Sequence, residues 1–156
     1  MAIKMTTPMS DVDAVINRQI QLIDEETCNA LSYLGEMCVT EARDRTQGES
    51  WYDHTGNLRS SIGYIITHNG NIVMTSSFAS FNGGAEGSSK GQSYANQLAS
   101  GFSRGFSLII VAGMEYAALV EAMDNKVVLA SAELLARKEL GSFISKLNNK
   151  LSRNIK

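Results

Sequence analysis

Val12, Ile16, Ile20, Ile23, Thr27, Leu31, Leu34 and Cys38 recur at intervals of four and three residues. That spacing lays one continuous stripe along an α-helix and predicts a long N-terminal helix. Two starts are open to it, Thr7-Pro8 and Ser10-Asp11-Val12-Asp13, while Arg43, Arg45 and Gly48 suit its end. Such a helix runs to about 50 Å, more than a domain of this length needs for its own core. Two readings follow: the stripe packs along the chain's own sheet and last helix, or part of it faces another subunit.

The period then changes. Tyr64–His68 and Asn71–Phe78 flank Asn69-Gly70, the preferred two-residue turn of a tight β-hairpin. Closure at that turn sets Ile66 opposite Val73 and Tyr64 opposite Thr75, with Ile65 and Met74 on the other face. Between the long helix and the hairpin lies a polar junction, Asp53–Ile62, in which Thr55 is a good N-cap and Gly56 permits a tight turn. Leu58 and Ile62 stand four apart and share one face of a short helix ended by Gly63. Trp51 and Tyr52, just before it, read as a plug for the core's end or as an anchor for a partner.

From Ala79 to Arg104 the composition shifts to Gly, Ser, Asn and Ala, which predicts a flexible arm. Tyr94, Leu98 and Phe102, spaced by four, form its one apolar turn, an assembly surface that orders against a neighbour. A strand is expected at Phe106–Ala112 and a short helix at Tyr116–Glu121, with Tyr116 and Val120 on one face. The last helix, Ala130–Leu151, carries Leu134, Leu140, Phe143, Ile144, Leu147 and Leu151. The fold class is therefore α+β: an antiparallel sheet built on a β-hairpin, covered by a long N-terminal and a C-terminal helix, in a single domain spanning residues 1–156.

Composition adds limits. One domain's worth of chain with 44% hydrophobic and 19% charged residues is ordinary for a globular protein. A net charge of −2 argues against nucleic-acid affinity as the main purpose. No charged-then-apolar leader and no apolar run long enough for a membrane span is seen, so a soluble protein made in a cytoplasm is expected. Cys28 and Cys38 lie about 15 Å apart along one helix, too far to bridge. The charges are unevenly spread: residues 10–44 carry eight acids against Arg18 and Arg43, and residues 137–156 six basic side chains against Glu139. The first and last helices thus attract each other, within one chain or between neighbours.

Candidates for chemistry are Asp53, His54, Ser60, His68 and Glu121, which form no known catalytic constellation. His54 and His68 read as solvated loop histidines, and no His, Cys, Asp and Glu cluster has metal-ligand spacing. The glycines of residues 83–91 lack the strand, helix and Lys-Ser/Thr context of a phosphate loop and read as flexibility. No cofactor is expected.

Behind Asp53 stands Thr55-Gly56-Asn57-Leu58-Arg59-Ser60-Ser61-Ile62, and beyond a glycine-containing strand end stands Tyr116-Ala117-Ala118-Leu119-Val120-Glu121. Alone, the first piece reads as a capped short helix whose Arg59 pairs with Asp53 or Glu121. Together and in this order, the two pieces resemble the tail-completion (head-to-tail joining, neck) proteins of long-tailed bacteriophages, over roughly residues 10 to 150. Members commonly follow the Glu with a Gly-Thr pair and a Pro-containing approach to the last helix. Here Ala122–Leu129 replaces both and leaves the entry to that helix open.

The resemblance implies a non-enzymatic virion protein that forms a ring, sixfold in the family, between the head connector or stopper and the tail-tube or tail-terminator proteins. DNA would pass through the lumen without specific binding, and no membrane is involved. Asp53, Thr55, Gly56, Leu58, Arg59, Tyr116, Val120 and Glu121 are the residues it marks, for the fold or for the interface. Its setting is the virion neck, after assembly in the host cytoplasm. The competing classes are an adaptor that binds one phage or host protein through the Gly-rich arm, and a small hydrolase using Asp53, His54 or Glu121, which no motif supports.

Overall fold

The computed structural model describes residues 8–44, 51, 53–123 and 126–154. Helix α1 (Met9–Asp44) leads through the junction to α2 (Asn57–Ser61), strands β1 (Ile62–His68) and β2 (Asn71–Thr75), and helix α3 (Ala85–Ala99). Strand β3 (Phe106–Ala112), α4 (Ala117–Glu121) and α5 (Ala130–Asn154) complete the chain. The sheet is antiparallel in the order β2-β1-β3. This is the expected α+β arrangement, with one added layer.

Strand β1 is central, and its apolar run Ile62–Ile66 is buried on both faces. Ile62, Tyr64 and Ile66 pack with Leu34, Cys38, Val39 and Ala42 of α1 and with Val128 and Ala132. Ile65 packs the other way, with Ile109, Val111 and the α3 residues Ala95 and Ala99. Trp51 closes the first core with 3% of its surface exposed, which makes it the plug. Tyr52, Arg45 and Gly48 lie outside the described residues.

The flexible arm is corrected here. Residues 85–99 form a 15-residue helix laid across the sheet. Gly87, Gly91, Ala95 and Ala99, at spacing four, make a flat face that lets α3 approach other backbones closely. A Cβ at Gly87 would collide with the carbonyl of Asn57, and one at Gly91 with the carbonyl of Ser61 and the Phe78 ring. These two glycines serve close packing, not flexibility. Ser88 Oγ also donates to the Phe78 carbonyl. Of the three residues of the expected apolar turn, Leu98 packs against the second core of this chain, Tyr94 and Phe102 are exposed, and Phe102 lies beyond the helix end.

The hairpin turn forms as expected, with φ of 52° at Asn69 and 83° at Gly70. Its register does not. Ile66 pairs with Met74 and Ile65 with Thr75, because an irregularity between Ile66 and Thr67 takes up one residue of β2. Such a bulge offsets the partner strand by one position while β1 stays buried on both faces. Strand β2 ends at Thr75, short of Phe78; Ser76 continues the ladder, its N–H donating to the Tyr64 carbonyl at 2.9 Å and its Oγ accepting from the Tyr64 N–H at 2.8 Å.

The N-cap of α2 also differs. Gly56, not Thr55, holds that position at φ 74°, where a Cβ would strike the Phe81 carbonyl. Thr55 Oγ1 accepts only a long 3.4 Å bond from the Asn57 N–H. The short helix passes straight into β1 at Ile62, one residue before Gly63.

The two long helices run antiparallel. Glu26 meets Lys150 at 2.5 Å, Tyr33 meets Phe143 at 5.6 Å between ring centroids, and Cys38 Sγ lies 3.5 Å from the Ala132 carbonyl. The Glu26–Lys150 pair therefore lies within one chain. Leu134, Leu140 and Ile144, expected on the packed face of α5, are exposed instead, while Phe143 packs against the core. Among the described residues no helix is long and apolar enough to cross a membrane.

Candidate functional site

The junction and α4 meet across a groove of about 640 Å³. Trp51, Asp53, Thr55 and Leu58 form one wall and Met114, Tyr116 and Val120 the other. Glu86 and Lys90, carried in by α3, close its rim. Two sequence pieces some sixty residues apart are thus brought together, because α2 and the β3–α4 turn lie side by side at one end of β1 and β3: the N–H of Gly113 donates to the Ser61 carbonyl at 3.1 Å.

The electrostatics of the groove are mixed. Burial pushes the Asp53 carboxyl above its ordinary value, against the opposing pull of the Gly56 backbone and of Arg59 and His54. The Tyr116 hydroxyl is also raised, first by burial and then by the charge of Asp53, while a hydrogen bond with Thr55 acts the other way. Lys90 is held in its charged form by Glu86 at 3.1 Å and Glu115 at 3.8 Å. Asp53 Oδ2 and Trp51 Nε1 are shielded from solvent and have no hydrogen-bond partner among the described residues.

Gly56, Arg59, Ser60, His68 and Glu121, each marked or a candidate, do not line this groove. Arg59 sits 5.0 Å over the Phe81 ring and 3.3 Å from Asp44, not on Asp53 or Glu121. Arg43 approaches the same ring at 5.2 Å and donates to the Ile62 carbonyl at 2.6 Å, so Phe81 receives two guanidinium groups. Ser60 Oγ is buried and accepts the Phe81 N–H at 2.8 Å. Glu121 lines the grooves flanking Leu129 instead, and its carboxylate is taken up by three backbone N–H groups at the start of α5.

His68 corrects the solvated-loop reading. It belongs to β1, stacks on Phe106 at 4.1 Å, and lies 3.9 Å from Asp24. Asp53 and His54 are the only two of the five catalytic candidates in the groove. Ser60, His68 and Glu121 are therefore not brought together with those two. Among the described residues no three His, Cys, Asp or Glu side chains gather as a metal site.

Sequence reasoning missed Phe81, Glu86, Lys90 and Met114. The Glu86–Lys90 spacing of four was a usable signal, but only once residues 85–99 were read as helix. No family model, curated protein or solved structure matches this chain.

Proposed function

We propose that this chain is a structural, non-enzymatic subunit of a bacteriophage neck that closes into a ring between the head connector and the tail. The observation that carries the reading is the meeting of Asp53–Leu58 with Tyr116–Val120 across one groove. Both pieces belong to the motif pattern that suggests the family, and a shared location gives their pairing a physical reason. The groove offers shape and mixed charge, which suits recognition.

Assembly also has surfaces to use. Leu119 of α4 and Leu134 and Ile144 of α5 are exposed. A ring needs two different faces that meet head to tail and close by rotation. The net charge of −2 fits a lumen that lets DNA pass without holding it.

The test is the mass of the purified protein across concentration, with negative-stain images, alone and with the head connector of the same phage. Closed rings of constant copy number support the reading. A monomer under all conditions, including with the connector present, overturns it and favours the adaptor.

A further inference from the structure

The antiparallel register of α1 and α5 leaves the two helices unequal in reach. With Glu26 beside Lys150 and Tyr33 beside Phe143, Asn154 at the end of α5 stands opposite Leu22. Met9–Gln21 therefore runs about 20 Å past the end of α5. Nearly every residue of this overhang is exposed; Ile16 and Ile20 each show half their surface. An isolated helix of that length is marginal in water, and most helical stability comes from packing an amphipathic face.

The apolar stripe along the overhang is symmetric in sequence. Around Ile16, Val12 and Ile20 stand four residues away on either side, and Met9 and Ile23 seven. All five share one helix face, continuous with Thr27, Leu31 and Leu34, which pack inside the chain. An antiparallel copy of the same helix then matches each apolar residue of this face with another: Ile16 with Ile16, Val12 with Ile20, Met9 with Ile23.

Charge fits the same arrangement. In that register the second copy's helix begins beside the place where α5 ends. Its acidic first turn, with Asp11, meets the basic last turn of α5, with Arg153, and the two helix dipoles line up head to tail.

We infer that the overhanging half of α1 is a two-fold self-association surface, on which a second copy of this chain docks its own overhang antiparallel, with Ile16 on the axis. The pairing is isologous, so it differs from the head-to-tail contact that closes a ring and does not depend on that ring. It joins two subunits, or two rings face to face.

The test uses the full chain with Cys28→Ser as background, since that thiol is half-buried and otherwise able to cross-link. Under mild oxidation Ile16→Cys should form a covalent dimer, because only a two-fold axis brings one position against itself. Ala14→Cys, on the outer side of the helix, should not. By sedimentation equilibrium the parent should double its mass with rising concentration, and Ile16→Asp should lose that doubling with an unchanged circular dichroism spectrum. Rings that form without the Ile16→Cys cross-link overturn this pairing and leave the neck reading intact. A cross-linked dimer with no larger species, with or without the head connector, supports the pairing and counts against the ring. Failure of the parent to dimerise at any concentration overturns it outright.

Discussion

The carboxylate of Glu121 accepts the backbone N–H of Leu129 at 2.7 Å. It also accepts from Val128 at 2.9 Å and Ala130 at 3.1 Å, so one side chain of α4 takes up the N–H groups where the chain enters α5. This is how the last helix is entered here without a Gly-Thr pair or a proline. A negative charge at a helix N-terminus is also favoured by the dipole. Glu121→Ala should therefore lower stability by about 1 to 2 kcal/mol, as loss of a cap does. Glu121→Gln, which keeps one acceptor oxygen, should lose less. Urea midpoints of the two variants check the order.

Leu58 and Arg59 are neighbours with different duties. Leu58 is buried in the larger core, and Leu58→Ala should cost about 2 to 5 kcal/mol. Arg59 is partly exposed, over Phe81 and beside Asp44, so Arg59→Ala should cost no more than about 1 kcal/mol. Equal losses in a denaturant titration would contradict the assignment.

Two helical glycines should respond in opposite directions. Gly91→Ala sets a methyl group against the Ser61 backbone and the Phe78 ring, and should destabilise by about 1 to 3 kcal/mol. Gly141→Ala in α5 meets nothing within 4 Å and should stabilise by about 0.5 to 1 kcal/mol. Melting temperatures of both variants, measured in one buffer, decide.

Asp53 makes a pH-dependent contribution of definite sign. Burial raises its folded value above the ordinary carboxyl value of 3.8, so the folded chain binds the proton more tightly than the unfolded one. Its contribution is fully present below about 3.8 and is lost as pH rises through the folded value. Asp53→Asn removes that ionisation penalty. The variant should gain stability over the parent as pH rises through the folded value toward 7, relative to their difference below the ordinary carboxyl value. Melting curves of both proteins at pH 3 and pH 7 compare the two differences.

The elements whose signals are local were legible in the chain. The stripe from Val12 to Cys38 marks α1, and Asn69-Gly70 marks the hairpin, because helix period and a positive-φ turn depend on near neighbours alone. The α+β order, the plug at Trp51 and the burial of Leu58 follow from the same kind of signal. The decisive features of α3 were not local. Its Gly87, Gly91, Ala95 and Ala99 carry too little apolar surface to look like a helix face, and their smallness has a purpose only against the backbones of Asn57 and Ser61. The register shift that sets Ile66 opposite Met74 is likewise a property of the strand pair and not of either strand alone.

For the site, the chain showed which residues stand together in each motif but not that the motifs share a wall. Asp53 and Tyr116 belong to different segments, and only the packing of α2 against the β3–α4 turn sets them on one groove. Arg59 and Glu121 were marked as polar motif residues; tertiary contacts gave one to Phe81 and the other to the start of α5. The sequence by itself determined that α1 and α5 are helices and that a hairpin stands between them, because periodicity is a property of the chain. Only the tertiary structure decided which faces were buried and how far α1 overhangs, because both depend on where α5 ends against it.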